Sequence, residues 1–333
     1  MARDTCIDIA KGIGMIFIVL GHICSQTEDV TVYQAIRSFV YQFHVPLFFF
    51  ISGMLIKTDT EWSTFLKGKI KRLYIPFVIS NIIFLGIHII FLKICNVPVI
   101  AVDCLKHTVK IILCISSTPL GGATWFLVTL LFSVLLYWAI HSVINKEWVI
   151  SVIAAVTFFF GSSQITPLFF SKVLVAFSFL HLGHLYRTYE KAHKIAENPL
   201  AGVVCLALTV CASFFNHPDF SQGQFGNIAI YIPSAIFGVI CILSFSKMIS
   251  KYFKAGFLSS CGRNSIWILI GHFAAFKLIT ILQIATMHLP SEVLFSHPCH
   301  IISGIWGILY IIAGILLPLS VANISERLAE KTK

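Results

Sequence analysis

The sequence predicts an all-α, polytopic integral membrane protein with about ten transmembrane helices. Three observations support this fold class. Of the 333 residues, 57% are hydrophobic and only 11% are charged, and the mean hydropathy is +0.89. A soluble domain carries about 25% charged residues. The hydrophobic residues form runs of about the length needed to cross a bilayer, and short polar segments separate these runs.

Taken in order along the chain, ten apolar runs are candidate membrane spans, and the fifth is short enough to be re-entrant. They are residues 7–25, 38–56, 74–94, 121–141, 148–163, 166–186, 199–216, 227–246, 264–286 and 300–321. We see no linker, fixed-period repeat or cleavable signal peptide. Residues 1–333 are therefore predicted to form a single membrane domain with no appended soluble domain.

The distribution of basic residues predicts the orientation. Of the 24 Lys and Arg residues, 17 fall in the segments on the side of the N-terminus and 4 on the opposite side. The positive-inside rule then predicts that both termini are cytoplasmic. The net charge of +10 is explained by these short clusters, and no nucleic-acid-binding motif accompanies them. The ten cysteines show no disulfide or metal spacing and are interpreted as small apolar residues.

The first span, "IDIAKGIGMIFIVLGH", contains the ionisable residues Asp8, Lys11 and His22. Lys11 and His22 are eleven residues apart, which returns to nearly the same helix face. Asp8 and Lys11 are close enough to pair. One interpretation is a neutralised pair near the interface with a histidine at the far end. The other, which further ionisable residues in later spans favour, is a polar stripe that faces a functional cavity.

Later spans contain further candidates. In "FHVPLFFFISG", His44 precedes Pro46, which should kink or locally open the helix, and Ser52 interrupts the apolar run. Trp125 is an interface anchor or a sugar-stacking ring. His272 lies near the middle of its span. His181 and His184 could form a metal-binding pair, but the sequence reveals no third ligand, so no metal site is predicted.

The segment "KGKIKRLYIPF" carries Lys67, Lys69, Lys71 and Arg72 just before the third span. Such a cluster is a topology signal. It is also what a cosubstrate carrying several phosphates requires.

Together the motifs "IDIAKGIGMIFIVLGH", "FHVPLFFFISG", "KRLYIPF", "TWFL" and "NSIWILIGH" occur in an order that resembles acyltransferase family 3. The closest likeness is to the fucose 4-O-acetylase-like branch. The family pattern of a basic residue, ten residues and a histidine maps onto Lys11 and His22. Many members have arginine at the first position, so Lys11 is a departure from the pattern. The later motifs map onto Lys71 and Arg72, Ser52 and Gly53, and His272.

The resemblance implies a membrane-bound O-acetyltransferase of the bacterial inner membrane. Acetyl-CoA would be the cosubstrate, and the acceptor a lipid-linked or polymeric glycan such as O-antigen, capsule or exopolysaccharide. His22 would act as the general base or the acyl carrier, and Asp8 and Lys11 would organise the donor end of the site. The ligands of CoA would be Lys67, Lys69, Lys71, Arg72 and Arg263. The groups that orient the sugar or stabilise the oxyanion would be His44, Ser52, Trp125 and His272.

Other functions remain open at this stage. A glycolipid transporter or flippase would also place charges inside a helix bundle, but it should show an inverted repeat, which the sequence lacks. A membrane receptor that senses pH through its histidines gives no reason for the ordered motifs. Within the enzyme class, the acyl group could be other than acetyl and the acceptor other than a sugar.

Overall fold

The computed structural model describes residues 4–24, 31–163, 165–189, 194–196 and 198–331. Within these residues the chain is helical and contains no β-strand, which confirms the predicted all-α class. In chain order the α-helices are α1 Thr5–Cys24, α2 Thr31–Tyr41, α3 His44–Met54, α4 Trp62–Lys69, α5 Ile75–Ile94, α6 Ala101–Ile112, α7 Trp125–Val143, α8 Glu147–Ser162, α9 Leu168–Thr188, α10 Pro199–Ser213, α11 Ile228–Tyr252, α12 Gly256–Arg263, α13 Ser265–Met287 and α14 Ile305–Lys331.

Seven helices of the described residues are long and apolar enough to cross a membrane, so a polytopic membrane protein is confirmed. They are Thr5–Ile23, Trp62–Ile94, Pro119–Val143, Leu168–Thr188, Ile228–Tyr252, Ser265–Met287 and Ile305–Glu330. The predicted number of ten spans is not confirmed. Two of the remaining three correspond to the shorter apolar helices α8 and α10, and the third, residues 38–56, is broken in two.

The break in residues 38–56 falls at Gln42 and Phe43, between α2 and α3. Pro46 lies in the first turn of α3, where a backbone N–H has no partner within the helix and its absence costs nothing. The kink predicted at Pro46 is therefore observed as a break in the helix before this residue. The Gln42 side chain is fully buried at the break. Its amide donates to the carbonyl of Asn216 at 2.6 Å and its oxygen accepts from Ser234 Oγ at 2.9 Å. These bonds join the break to α11, through Ser234, and to the segment that precedes α11, through Asn216.

Glycines set two of the closest helix contacts. Gly53 of α3 faces the carbonyl of Leu180 in α9, and Gly183 of α9 faces the carbonyl of Phe50. A Cβ at either glycine would overlap the facing oxygen. Helices in a membrane gain little from hydrophobic burial against one another, so close backbone approach through small residues is a main source of their association.

The helix Trp62–Ile94 is continuous but changes pitch. Residues Ile70–Tyr74 form a π-helical turn between α4 and α5, and this turn contains Lys71 and Arg72. Glu61 caps the start of the helix, and its carboxylate accepts hydrogen bonds from the backbone N–H groups of Ser63 and Thr64. The hydrogen bond from the Ser63 hydroxyl, together with the two from the backbone N–H groups, lowers the pKa of Glu61 to about 2. The start of the basic segment is therefore fixed by a capping residue that is ionised at neutral pH.

We call the side on which α1 begins the inner side, and the side on which it ends the outer side. The inner side is the one predicted to face the cytoplasm. Trp125 begins α7 on the outer side, and Trp138, more than three turns later, contacts the Trp62 ring of α4 at 4.8 Å. The basic segment therefore lies on the inner side, at the opposite end of α7 from Trp125.

Candidate active site

A pocket in the outer half of the bundle brings together three of the residues that the sequence singled out. His22 of α1, His44 of α3 and Trp125 of α7 line it, together with Tyr41 and the segment 219–221. It encloses about 420 Å³ of space between atoms, including its open mouth. Only about 30 Å³ of it is enclosed cavity. Ligand pockets usually measure about 300–1,000 Å³, so the pocket must widen before it can hold a sugar ring.

His22 sits in an aromatic environment. Its ring stacks on His272 with centroids 5.2 Å apart, and the edge of Phe273 approaches it at 4.7 Å. The His272 side chain is completely buried and lies behind His22, outside the pocket lining. The predicted role of His272 as a substrate ligand stays a prediction, and the contact that the structure shows is with the His22 ring.

The hydrogen bonds of two histidines define which ring nitrogen carries the proton. His44 Nδ1 lies 2.8 Å from the carbonyl oxygen of Val40, and His272 Nδ1 lies 2.8 Å from that of Ile268. A carbonyl can only accept, so Nδ1 is the donor in both rings. The Nε2 atom of a neutral ring then carries the lone pair. In His272 this atom is buried and has no hydrogen-bond partner among the described residues.

The segment 219–221 covers the pocket from the outer side. Asp219 accepts from the backbone N–H and hydroxyl of Ser221 at 2.9 and 2.6 Å, and Arg37 approaches its other oxygen at 3.6 Å. Phe220 stacks on Trp125 with ring centroids 6.0 Å apart. The segment is thus anchored by a capped turn, an ion pair and an aromatic stack.

Lys172 of α9 supports the outer wall of the pocket by contacting Trp125 and the segment 219–221. Its Nζ lies 4.6 Å above the Trp125 ring and donates to the carbonyl of Ser221 at 3.4 Å. Trp125 also lines a second outer cleft, together with Lys172, so the Trp125 ring separates two cavities. A cation on one face of an indole is a stabilising arrangement that also fixes the ring orientation.

Several predicted site residues lie away from the pocket. Ser52 Oγ donates to the Phe48 carbonyl at 2.7 Å within α3 and does not line the pocket. Lys11 and Asp8 precede His22 by eleven and fourteen residues, about 16 and 21 Å along the helix axis. Asp8 is buried where α1 packs closely against Gly262 of α12. Their predicted part in catalysis stays a prediction, and they lie at the inner end with the basic residues.

Among the predicted CoA ligands, Lys67, Lys71 and Arg72 are exposed on the inner side, and Lys69 lies over the Phe65 ring at 4.9 Å. Arg263 of α12 is also exposed and donates to Ser259 Oγ at 2.9 Å. These side chains therefore leave room for a bound anion.

An apolar groove with a volume of about 810 Å³ runs between α5, α13 and α14. Its inner end begins at Ile75 and Ile266, three residues after Arg72 and Arg263 respectively. The groove and the His22 pocket share no lining residue. Leu269 faces the pocket and Ile270 faces the groove, so α13 forms part of the wall between them.

Sequence reasoning missed the cover of the pocket. Asp219 and Phe220 lie in a polar loop with no apolar periodicity, and Lys172 was counted only as a charge inside a span. The position of Lys172 could have pointed to this part of the site. A charge within an apolar helix is energetically costly, so a lysine there needs a polar or aromatic partner. The structure supplies Trp125 and the Ser221 carbonyl as partners.

Comparison with known proteins agrees with the motif order. A family model described as an acyltransferase domain, that of acyltransferase family 3, matches residues 4–323, nearly the whole chain. No curated protein and no solved structure matches the chain. The fucose 4-O-acetylase-like branch stays a prediction. With its multi-pass helical bundle and this match over residues 4–323, the chain belongs to acyltransferase family 3 and is a membrane acyltransferase.

Proposed function

We propose that the protein transfers an acetyl group from cytoplasmic acetyl-CoA to a hydroxyl of a bacterial surface glycan at the inner membrane. The observation that carries this proposal is the pocket that joins His22 and His44 to Trp125 and to the cover segment. It combines a proton acceptor with an aromatic ring of the kind that stacks on sugars, in a chain of an acyltransferase family.

In the proposed reaction, neutral His22 removes the proton from the acceptor hydroxyl as its oxygen attacks the thioester carbonyl carbon. The C–O bond forms, the C–S bond breaks, and CoA leaves as a thiolate that takes a proton. The products are an acetyl ester and free CoA. His44 lines the same pocket and would orient the acceptor through the lone pair on its Nε2 atom. A covalent acetyl-His22 intermediate reaches the same products in two steps.

The acceptor end of the site would be formed by Trp125, Phe220 and Asp219. Stacking against an aromatic face and hydrogen bonds to a carboxylate suit a ring that carries several hydroxyls. Phe220 stacks on Trp125, so Phe220 would have to move for a sugar to reach the Trp125 ring. Both aromatic residues lie on the outer side. This placement favours an acceptor that approaches from the outer face, such as a lipid-linked glycan or a nascent polysaccharide.

The donor end would lie on the inner side, where Lys71 and Arg72 are exposed on the π-helical turn. Arginine and lysine are the usual partners of phosphate groups. Arg72 precedes Asn81 by nine residues, about 13 Å of helix. Asn81 Nδ2 in turn donates to the Thr124 hydroxyl at 2.9 Å, directly before Trp125. The pantetheine arm would cover this distance, and the wall at α13 would have to open for the thioester to meet His22.

The overall proposal is tested with the protein purified in detergent and with cells that express or lack it. We expect slow acetyl-CoA hydrolysis by the protein, and O-acetyl signals in the NMR spectrum of surface polysaccharide only when it is present. A glycolipid transporter would hydrolyse no acetyl-CoA. If hydrolysis occurs but the polysaccharide is unchanged, the glycan acceptor is wrong while acyl transfer stands.

The variants Lys71→Gln and Arg72→Gln test whether the basic residues on the inner side bind the phosphates of acetyl-CoA. Each removes one positive charge from the π-helical turn, and a hydrogen bond to a charged group contributes about 1.5–3 kcal/mol. We expect the KM for acetyl-CoA to rise about tenfold or more, with kcat little changed. The measurement is steady-state release of CoA thiol.

The matched control for this prediction is Lys254→Gln, which removes an exposed lysine on another helix connection. It should leave the KM unchanged. An unchanged KM in both Lys71→Gln and Arg72→Gln would show that the basic segment does not bind the cosubstrate.

A further inference from the structure

A second cluster of ionisable side chains lies at the inner ends of three helices, away from the His22 pocket. It consists of His141 near the end of α7, Glu147 at the start of α8 and His184 near the end of α9. His141 Nε2 and His184 Nε2 each lie 3.3 Å from Glu147 Oε1. Their side chains are only 14–29% exposed. Three helices thus direct polar groups to one half-buried point.

The spacing of these atoms matches the geometry of a metal site. The three candidate ligand atoms all lie within 4.8 Å of one another. Zinc binds imidazole nitrogen and carboxylate oxygen at about 2.0–2.2 Å in a tetrahedral arrangement, which places neighbouring ligand atoms about 3.3 Å apart. By contrast, 3.3 Å is long for a hydrogen bond between an imidazole and a carboxylate, which favours about 2.7–2.9 Å.

The hydrogen bonding of Glu147 also points to a bound cation. Its second oxygen, Oε2, is buried and has no hydrogen-bond partner among the described residues. A buried carboxylate oxygen without a partner is costly and calls for an explanation. A cation held by this carboxylate explains it, because both oxygens can then face the ion or a water bound to it.

We propose that His141, Glu147 and His184 bind one divalent transition-metal ion, with Zn²⁺ as the best match, and leave its fourth position to water. Two imidazoles and one carboxylate are a ligand set that zinc uses when one position stays open. This revises the expectation of no metal site. His181, the sequence neighbour considered as a partner of His184, instead contacts Ser151 Oγ at 2.8 Å and Tyr137 OH at 3.2 Å.

The position of the site indicates what the ion would do. It would join the inner ends of α7, α8 and α9. Trp138, one turn before His141 on α7, donates to the Thr60 carbonyl at 3.1 Å and packs on Trp62 and Phe65 of α4. A metal that fixes the end of α7 therefore also braces the helix that leads into Lys71 and Arg72. The role is structural and does not depend on the acyl donor or acceptor.

The test uses the full-length protein in detergent, purified through a tag without histidine and stripped with a chelator. We expect the wild type to bind about one equivalent of Zn²⁺ by mass spectrometric metal analysis. Co²⁺, which replaces zinc in such sites, should give the visible absorption of a tetrahedral complex. Zn²⁺ should also raise the thermal unfolding temperature, because it binds only the folded state.

Glu147→Gln and His141→Gln should each weaken binding by at least about tenfold, since loss of even an outer partner of a ligand costs that much. His288→Asn is the matched control, because it removes an exposed histidine and asparagine tolerates its positive φ. Unchanged elution on size exclusion shows that each variant is folded. Less than a tenth of an equivalent of metal in the wild type, or wild-type affinity in Glu147→Gln, would overturn the proposal.

Discussion

Replacement of His22 by glutamine is expected to lower the rate of acyl transfer by about 10²–10⁴-fold, the usual contribution of a general base. Glutamine keeps a hydrogen-bonding side chain of similar length but cannot accept a proton at neutral pH. The His22 ring lines the pocket and is held by His272 and Phe273. The measurement is single-turnover transfer from acetyl-CoA, with O-acetyl NMR signals of the polysaccharide as the cellular readout.

A structural role for His22 must be separated from a chemical one. If His22 acts as the base, stabilisation of the His22→Gln protein by CoA should equal that of the wild type, because the basic residues lie on the other side of the bundle. The control His288→Asn should keep full activity. Transfer at the wild-type rate in His22→Gln would remove this residue from the mechanism.

The second large effect is expected for Gly53→Ala, at the contact between α3 and α9. A methyl group at Gly53 would overlap the carbonyl of Leu180, so the two helices must move apart. Overpacking of this kind costs about 1–3 kcal/mol, and more where backbone must move. Reversible unfolding in mixed-detergent micelles measures the loss. Gly86→Ala is the control, because a Cβ there meets no atom within 4 Å and alanine is the better helix former.

The reciprocal contact allows a sharper test. Gly183 faces the Phe50 carbonyl across the same interface, so one separation of the helices relieves both clashes. The double variant Gly53→Ala/Gly183→Ala should therefore lose less stability than the sum of the two single losses. Strict additivity would mean that the two glycines act independently and that the interface is not a single rigid contact.

Much of the fold followed from the sequence because lipid imposes a simple rule: a span must be long, apolar and internally hydrogen-bonded. Residues 74–94 and 264–286 meet this rule and are helices. The break at Gln42 was harder to foresee. It depends on Asn216 and Ser234, which are far along the chain and accept or donate hydrogen bonds that a continuous helix would not need.

The candidate site, like the fold, could be predicted from the sequence only in part. His22, His44 and Trp125 could be found because polar or amphipathic residues in apolar runs are costly and few. Asp219 gave no such signal, since an aspartate in a polar loop is ordinary. The cluster of His141, Glu147 and His184 could not be assembled either, because its members come from three helices and only their packing makes them neighbours.

The π-helical turn at Ile70–Tyr74 has a consequence for how such chains can diverge. A wide turn of this kind accommodates one residue more than an α-helical turn would. Deleting a single residue there would restore a regular ladder and leave α4 nearly in phase with α5, because the wide turn had already taken up that residue. The same deletion within α5 would instead rotate Lys71 and Arg72 by about 100° relative to the rest of that helix. The wide turn is thus a place where the chain can lose one codon while the cations that precede it keep their direction.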